Sequence, residues 1–461
     1  MPISGTDRAR QEGGRTLANW ESETAFHPES EPMAFSLARI LLVAVLLGSP
    51  LAFGAVVPWA WAGLGIAAAL GLVLWAAGCL QRRVVKLVWS PLYIPSGLFF
   101  LLGVFQYVAG ITLDASETRK ALLLLFTDLA FFFLAVQLFG SGRTRALRVF
   151  GLLVLIFAGS LGLFAILESA SGVHRIYGIV DTPFGALYGP YVNRDHFAGL
   201  MEMLLPVAIL YIAGRHGGFS LEASVWRVSA VALAIASFLL SGSRGGLAAL
   251  AVEIVIAAAL IARGRSRSGQ SRRLAVAAAF ALVVGVALFA YVDPGWVSKK
   301  LGSVAYPHKT WKDWASDRKR MAADGLHMWA DHPLLGVGLG DFETAYPPYQ
   351  SLTTDMWIDH AHNDYVEAAA ETGLVGALLV LSALVLFLFL AFRDSGQPVL
   401  SQAAAVRVGA AIGCCGLLVH SLADFNLHIP ANAAWFAVLA GIATTARPAG
   451  AAEDSESISG Y

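Results

Sequence analysis

The sequence predicts an all-α polytopic membrane protein with about twelve transmembrane helices and one large loop on its outer side. Of its 461 residues, 57% are hydrophobic and only 14% are charged, whereas a soluble domain carries roughly 25% charged residues. The apolar residues also fall into runs of about 20, the length at which a helix crosses a bilayer. These runs lie near residues 37–56, 59–79, 92–112, 120–139, 149–169, 197–213, 226–241, 245–262, 274–292, 373–392, 403–422 and 430–446.

Basic residues in the short loops give the predicted spans an orientation. The loops "QRRVVK" (81–86), "GRTRALR" (142–148) and "RGRSRSGQSRR" (263–273) carry three, three and five Lys or Arg residues. Because Lys and Arg accumulate in cytoplasmic loops, both termini are expected in the cytoplasm. The outer side then receives residues 170–196, 241–244, 293–361 and 423–429.

The composition also predicts how the chain is divided. The polar ends are expected to be disordered, and the long outer loop is expected to carry an amphipathic helix. Adjacent cysteines do not form a disulfide framework, so Cys79, Cys414 and Cys415 are assigned to packing. The net charge is zero and gives no support for nucleic-acid binding. The segments are a tail (1–36), spans one to nine (37–292), the outer loop (293–361), spans ten to twelve (362–446) and a second tail (447–461).

Five polar clusters, far apart in the sequence, fall on the predicted outer side. Several of their groups lie inside or next to apolar runs, where a charge costs a few kcal/mol unless it is paired or used. We therefore expect one shared functional site rather than unrelated polar loops. The clusters are "YGPYVNRDHFAGL" (187–200), "SGSRGG" (241–246), "DRKRMAADGLHMWADHPLLGVGLGDF" (317–342), "HAHNDYVEAAAETG" (360–373) and "HSLADFNLHIP" (420–430).

Two of these clusters favour binding of an anion. Arg244 lies between two apolar runs in a loop of only a few residues, and a planar guanidinium there suits a phosphate. The alternative is an arginine that reaches the membrane interface without a ligand. Asn193, Arg194, Asp195 and His196 open the sixth span, where the unpaired N–H groups of a helix favour an anion. Asn193 or Asp195 could instead act only as the helix cap.

The outer loop contains a predicted helix and a predicted turn. After the basic stretch "DRKR", Met321, Leu326 and Trp329 recur with helical periodicity, which predicts an amphipathic helix lying over the membrane face. The following "GVGLG" (336–340) does not fit the pattern of a nucleotide-binding loop. We interpret it as a tight turn that seats the loop.

The segment "IDHAHNDYVEAAAETGLVG" (358–376) carries the densest group of titratable residues. Asn363 or Asp364 can cap a helix that continues into the tenth span. Asp364, Glu367 and Glu371 then lie along one face of that helix. A histidine among carboxylates, such as His362, suits proton transfer beside a bound anion.

Other interpretations of the histidines remain open. His360 and His362 could form a metal-binding pair or make structural hydrogen bonds. No third ligand has a recognisable spacing, so no metal site is expected. In the last cluster, Asp424, Asn426 and His428 lie between spans eleven and twelve. They line the same site or stabilise a turn at the helix end.

The order of these motifs resembles the O-antigen ligase and polymerase superfamily. "SGSRGG", then a large outer loop with "DHPLLGVGLGDF", then "HAHNDYVEAAAETGLVG" carry the resemblance, which covers roughly residues 150–430. It implies a GT-C-like membrane glycosyltransferase in the bacterial inner membrane with a periplasmic active site. Its members transfer a glycan from undecaprenyl diphosphate to lipid A core, another repeat unit or a protein. The resemblance implies no cofactor and no metal, and contacts with other polysaccharide-assembly proteins.

The resemblance also implies roles for particular residues. Arg244 matches the Ser-Arg-Gly position of the family, and Arg318, with Arg320 as second choice, matches an arginine before Asp-His-Pro. These arginines are expected to hold the diphosphate, as is Arg194, which replaces a family proline and whose role is open. His362 matches the His-Asn position of the proposed base. Further substrate contacts are expected from Asn193, His196, His360, Asn363, Tyr365, Glu367 and Asp424.

Two rival functions follow from the same residues. A transporter or flippase of a lipid-linked oligosaccharide, or a carrier of a small anion, would also line a cavity with basic groups. Such a protein should carry polar groups at mid-bilayer depth, where this sequence offers chiefly Glu202 and Glu253. Glu202 is placed in the Asn193–His196 cluster, whereas Glu253 has no assigned role. A ligase and a polymerase would share the same donor chemistry, so these motifs do not separate them.

Overall fold

The computed structural model describes residues 31–140, 143–173, 175–181, 187–214, 221–263, 311–354, 357–394 and 401–445. The predicted ninth span (274–292), the first part of the outer loop, most of the N-terminal tail and the whole C-terminal tail lie outside these ranges. Within them the chain forms α-helices, a few 3-10 turns and one two-stranded hairpin.

Eight helices and the hairpin precede residue 264. The helices are α1 (Met33–Leu51), α2 (Pro58–Arg82), α3 (Tyr93–Val108), α4 (Ala115–Phe139), α5 (Thr144–Ala170), α6 (Arg194–Ala213), α7 (Leu221–Ser241) and α8 (Arg244–Arg263). The strands β1 (Arg175–Ile176) and β2 (Val180–Asp181) pair antiparallel between α5 and α6.

Five helices follow residue 310. They are α9 (Trp311–Asp331), the single turn α10 (Phe342–Ala345), α11 (Asp364–Phe392), α12 (Gln402–His420) and α13 (Pro430–Thr444). A 3-10 turn (Asn426–His428) joins α12 to α13.

These helices agree with the predicted spans over the described residues. Nine are apolar and long enough to cross a membrane, and α3 and α13 are shorter apolar helices. Together they coincide with every predicted run except residues 274–292. The predicted class, an all-α polytopic membrane protein, is confirmed, whereas the count of twelve stays a prediction.

The helices α6 and α12 form the centre of the bundle. In the most apolar 18-residue stretch of each helix, 78% of α6 and 83% of α12 is buried, whereas only 17% of α11 is buried. The two helices approach closely because Gly413 has no side chain, and a Cβ there would overlap the backbone of Met203. Close backbone contact of this kind is typical of small residues between membrane helices.

One end of the bundle collects the polar clusters, and we call it the polar end. It contains the first residues of α6, α8 and α11 and the last residue of α12, which are Arg194, Arg244, Asp364 and His420. The opposite end contains the described basic residues 81–86 and 143–148, and Arg407 of α12 donates there to the carbonyls of Phe139 and Gly140. The sequence therefore places its polar clusters together at one end of an apolar bundle.

The glycine-rich turn (336–340) attaches residues 311–354, which we call the outer segment, to this end. The N–H groups of Val337 and Gly338 donate to the carbonyls of Ala370 and Glu371 in α11. Gly336 has φ +69°, and Gly373 interrupts α11 with φ +65°. A Cβ on either glycine would overlap backbone atoms of the other segment. The interpretation of this stretch as a tight turn that attaches the loop to the bundle is confirmed.

Within the outer segment, α9 has a different buried face from the one expected. The expected face contained Met321, Leu326 and Trp329, but Leu326 is exposed. Met321, Asp324 and Met328 are buried instead. Asp324 can be buried because its carboxylate accepts hydrogen bonds from the Tyr346 hydroxyl (2.7 Å) and the Ser351 N–H (3.0 Å).

Candidate functional site

The start of α11 fixes the position of His362. Asn363 caps this helix, since its side-chain oxygen accepts from the N–H groups of Tyr365 and Val366. The other end of the Asn363 amide donates to the Leu422 carbonyl at 2.9 Å, which joins α11 to the loop after α12. His362 itself has φ +49°, a conformation that non-glycine residues rarely adopt and that is concentrated at functional sites.

Asp424 contacts more of the charged and titratable side chains of the site than a single ion pair would require. It is fully buried, and its Oδ1 lies 3.0 Å from Nδ1 of His362 and 3.8 Å from Nε2 of His196. Burial raises the pKa of the Asp424 carboxyl, but the imidazoles of His196 and His362 and the charge of Arg318 outweigh this effect. The pKa of Asp424 therefore lies well below its ordinary value.

Arg318 is held between two carboxylates. Its Nη2 donates to Oδ2 of Asp195 at 2.6 Å and lies 3.5 Å from Oδ2 of Asp424. Its Nη1 donates to the Ala423 carbonyl at 3.0 Å. Burial lowers the pKa of Arg318, yet Asp424 and Asp195 raise it above its ordinary value. A permanent cation therefore lies on the same carboxylate as His362.

The Phe425 ring is surrounded by three of the site histidines. It stacks on His360 with 4.2 Å between the ring centroids, and it meets the edges of His196 and His362 at 4.7 and 4.8 Å. The phenyl ring excludes water from one side of each imidazole, which strengthens the electrostatic interactions of the site. Phe425 was absent from the predicted site, because an apolar side chain carries no chemical signal in the sequence.

A second histidine cluster adjoins the first. The Glu367 carboxylate lies 2.7 Å from Nδ1 of His360 and 3.2 Å from Nε2 of His428, whose Nδ1 donates to Asp364 at 2.8 Å. Burial lowers the pKa of both histidines, but Glu367, together with Asp364 beside His428, outweighs it. The pKa of His360 is raised, and that of His428 is raised to about 10.

A buried acid–histidine pair lies at the inner side of the site. Both side chains are fully buried, and Nδ1 of His420 lies 3.2 Å from each oxygen of Glu202. The placement of Glu202 with the Asn193–His196 cluster is thus supported by geometry. His420 was not among the predicted site residues, because only the packing of α12 against α6 brings it there.

Arg244 lies next to this pair in the chain. It is the first residue of α8, and Ser243 caps that helix by accepting from the Gly246 N–H at 3.1 Å. The following residue, Gly245, contacts the His420 ring so closely that a Cβ there would overlap it. The helix N-terminus that carries Arg244 therefore borders the same buried groups.

Some predicted site residues make contacts within the protein, and others are exposed. Asn193 caps α6 by accepting from the Asp195 N–H, and the Tyr365 hydroxyl donates to the Leu418 carbonyl at 2.7 Å. Arg194 is exposed, as is Arg320, which lies on a different face of α9 from Arg318. Of the two candidate arginines in α9, only Arg318 reaches the Asp424 carboxylate in the described structure.

Two groups of side chains in the described residues have the donor types and spacing for a metal ion. They are His360, Glu367 and His428, and Asp195, His420 and Asp424. In the first group the three side chains already contact one another. In the second, the guanidinium of Arg318 takes the place of a cation beside both aspartates. His360 and His362 do not form a pair, because they bind different carboxylates.

Comparison with known proteins agrees with the sequence motifs. Residues 229–381 match the family model described as O-antigen ligase. The matched range contains Arg244, Arg318 and His362, whereas Asp195 and Asp424 lie outside it. A search of curated proteins found no match. The O-antigen ligase domain at residues 229–381 supports the O-antigen ligase and polymerase family that the motifs of this chain resemble.

Proposed function

We propose that this protein is a membrane glycosyltransferase that moves a glycan from undecaprenyl diphosphate to the hydroxyl of an acceptor sugar. The proposal rests on one observation above all: His362 and Arg318 both contact the buried carboxylate of Asp424. A proton acceptor and a cation are thereby fixed side by side. These are the two groups that transfer from a glycosyl diphosphate requires.

His362 is proposed as the base. Because an ionised carboxylate only accepts hydrogen bonds, the contact with Asp424 assigns the proton of His362 to Nδ1. The lone pair of Nε2 is then available to take the proton of the acceptor hydroxyl. The side chain is 21% exposed, so an acceptor can reach it, and Asp424 holds the ring in the required orientation.

Arg318 and Arg244 are proposed to bind the leaving diphosphate. As the glycosidic bond breaks, negative charge grows on the phosphate oxygen, and fixed cations stabilise that charge without a metal ion. A guanidinium can bind two phosphate oxygens at once. Arg244 would add the positive end of the α8 dipole to its own charge.

The proposed step is a single displacement. The acceptor oxygen forms a bond to the anomeric carbon while its proton passes to Nε2 of His362. The bond from that carbon to the phosphate oxygen breaks, and its electron pair leaves with undecaprenyl diphosphate. Attack opposite the leaving group inverts the anomeric centre. The polyprenyl chain stays in the bilayer, which explains a site at the ends of membrane helices. We place the protein in the inner membrane of a bacterium, with this site facing the periplasm.

The test is glycan transfer by the purified full chain in detergent, with EDTA present. The donor is an undecaprenyl-diphosphate oligosaccharide, and the acceptor is lipid A core or a second repeat unit. Wild type is compared with His362→Ala and with His332→Ala, an exposed histidine of the outer segment. We expect transfer by wild type and His332→Ala and none by His362→Ala.

The outcomes separate the parts of the proposal. Normal transfer by His362→Ala would reject His362 as the base. A loss of activity with EDTA that Mg²⁺ or Mn²⁺ restores would reject the metal-independent mechanism. The acceptor that is used decides between a ligase and a polymerase. No transfer to either acceptor, with flipping of the donor in vesicles, would replace the enzyme by a transporter.

A further inference from the structure

The buried pair of Glu202 and His420 has no part in the mechanism above. Both residues are fully buried within the bundle. Nδ1 of His420 is hydrogen-bonded to the carboxyl group of Glu202, whose two oxygens are equidistant from it at 3.2 Å. An ionised carboxylate this deep is strongly destabilising unless a cation or several hydrogen bonds accompany it. A proton held between His420 and Glu202 therefore accounts for the burial of both side chains.

The His420 ring also lies close to two aspartates of the site. A ring nitrogen of His420 and an oxygen each of Asp195 and Asp424 all lie within 4.8 Å of one another. Nε2 of His420 is buried and has no hydrogen-bond partner among the described residues. Asp195 and Glu202 are seven residues apart and share a face of α6, which gives His420 access to both.

Arg318 alone leaves its two carboxylate partners with one unbalanced negative charge. Asp195 and Asp424 are two buried carboxylates that share one guanidinium, that of Arg318. Two like charges at this distance favour protonation of one of them unless a second cation is near. An imidazolium at His420 would supply that second cation beside both aspartates, with Glu202 as its counterion.

We propose that His420, paired with Glu202, is a positioning residue that keeps Asp195 and Asp424 ionised and so holds Arg318 in place. The residue does not contact the glycan or the diphosphate. It acts on the reaction only through the carboxylates that orient the guanidinium. This inference rests on the proposed glycosyl transfer for its kinetic test, but not for its chemical test.

The chemical test measures how strongly the Arg318 guanidinium is protected by its carboxylate partners. Phenylglyoxal modifies guanidinium groups, and the extent of reaction at each arginine of the purified full chain is measured by mass spectrometry. Arg320, exposed on the same helix, serves as internal reference. We expect Arg318 to react several-fold faster in His420→Gln than in wild type, because one of its two carboxylates becomes protonated.

Two further variants control this measurement. Glu202→Gln keeps a hydrogen-bond acceptor for His420 but removes its counterion, and it should accelerate the reaction of Arg318 even if His420→Gln does not fold. Glu253→Gln is the matched control, since Glu253 is a buried carboxylate that lies against Gly416 of the same helix, one turn from His420. Equal reaction rates in wild type and Glu202→Gln would overturn the proposal.

The kinetic test is a double-mutant cycle with Arg318→Lys. In the wild-type background, His420→Gln should lower kcat/KM for the donor about 10- to 30-fold, the scale expected when a charge-assisted contact is lost. In the Arg318→Lys background it should cost less than about threefold, because coupled residues are not additive. The acceptor KM should stay unchanged in both.

The two tests fail in different ways. Additive effects of His420→Gln and Arg318→Lys in an active enzyme would reject the positioning role and leave the glycosyltransferase proposal intact. Absence of transfer by wild type would reject that function, while the phenylglyoxal rates would still decide whether His420 holds Arg318. A general folding defect would raise the acceptor KM and would add to the effect of Arg318→Lys.

Discussion

Replacement of Asp424 by asparagine tests the central arrangement of the site most directly. Asp424→Asn keeps the size of the side chain and one oxygen that can accept from the Phe425 N–H. Arg318 stays bound to Asp195 at 2.6 Å, so we expect the fold to survive. The change removes the negative charge that faces both His362 and Arg318.

The expected loss of transition-state stabilisation in Asp424→Asn follows from its contacts with His362 and Arg318. Hydrogen bonds to charged groups are worth about 1.5–3 kcal/mol each. The contact with His362, at 3.0 Å, is a full hydrogen bond, and the contact with Arg318, at 3.5 Å, is weaker. A combined loss of about 3–4.5 kcal/mol in the transition state corresponds to a rate that falls about 10²- to 10³-fold.

The assay measures glycan transfer by purified protein at saturating donor, across about pH 6–9. This range lies well above the ordinary carboxyl pKa of about 3.9. Because the pKa of Asp424 is depressed in the folded protein, its contribution is complete above its unfolded value and is lost only as pH falls through the folded one. Titration of Asp424 itself should therefore contribute no change to the ratio of wild-type to variant rate over this range. A ratio near one, or a loss as large in the control Asp331→Asn, an exposed residue at the end of α9, would refute the reasoning.

Three further outcomes are expected. Arg244→Lys keeps the charge but loses the planar fork, and it should reduce donor kcat/KM about tenfold or more; wild-type kinetics would limit Arg244 to an interfacial anchor. Gly336→Ala should lower the Tm in detergent, with a cost of about 1–3 kcal/mol for positive φ plus a backbone overlap, whereas Gly97→Ala, with open space around it, should not. His428 has a pKa of about 10 when folded against about 6.5 when unfolded. Its stabilisation is therefore complete below about pH 6.5 and is lost as pH rises towards about 10, and a Tm measured against pH should lose that slope in His428→Gln; an unchanged slope would contradict this assignment.

Much of the fold was predictable because membrane helices follow from local composition. The apolar runs located the helices, and Asn363 could be recognised as a cap from its position before "DYVEAAAE". Arg318 could be preferred over Arg320 only through family resemblance, since both lie in one basic stretch. The structure supplies the physical reason, which is that two residues along a helix point to different faces.

The pairs that cross the bundle were not predictable from the sequence. Glu202 and His420 are 218 residues apart, and no spacing rule connects them. The hydrogen bond from the Tyr365 hydroxyl to the Leu418 carbonyl depends on the approach of α11 to α12, and the expected contact of Tyr365 with substrate stays a prediction. Such choices depend on which helices become neighbours, and that information is distributed over all the packing surfaces.

The attachment of the glycine-rich turn also bears on how this protein can be dissected. The outer segment obtains its hydrogen bonds from helices of the bundle: Gln106 of α3 donates to the Leu335 carbonyl, and Asp341 accepts from Thr112 and from the Leu113 N–H, just beyond α3. Expressed by itself, the segment would lose partners for its backbone and expose the buried face of α9. It is therefore not an autonomous domain, and antibodies or binders raised against the isolated peptide should not recognise its native conformation.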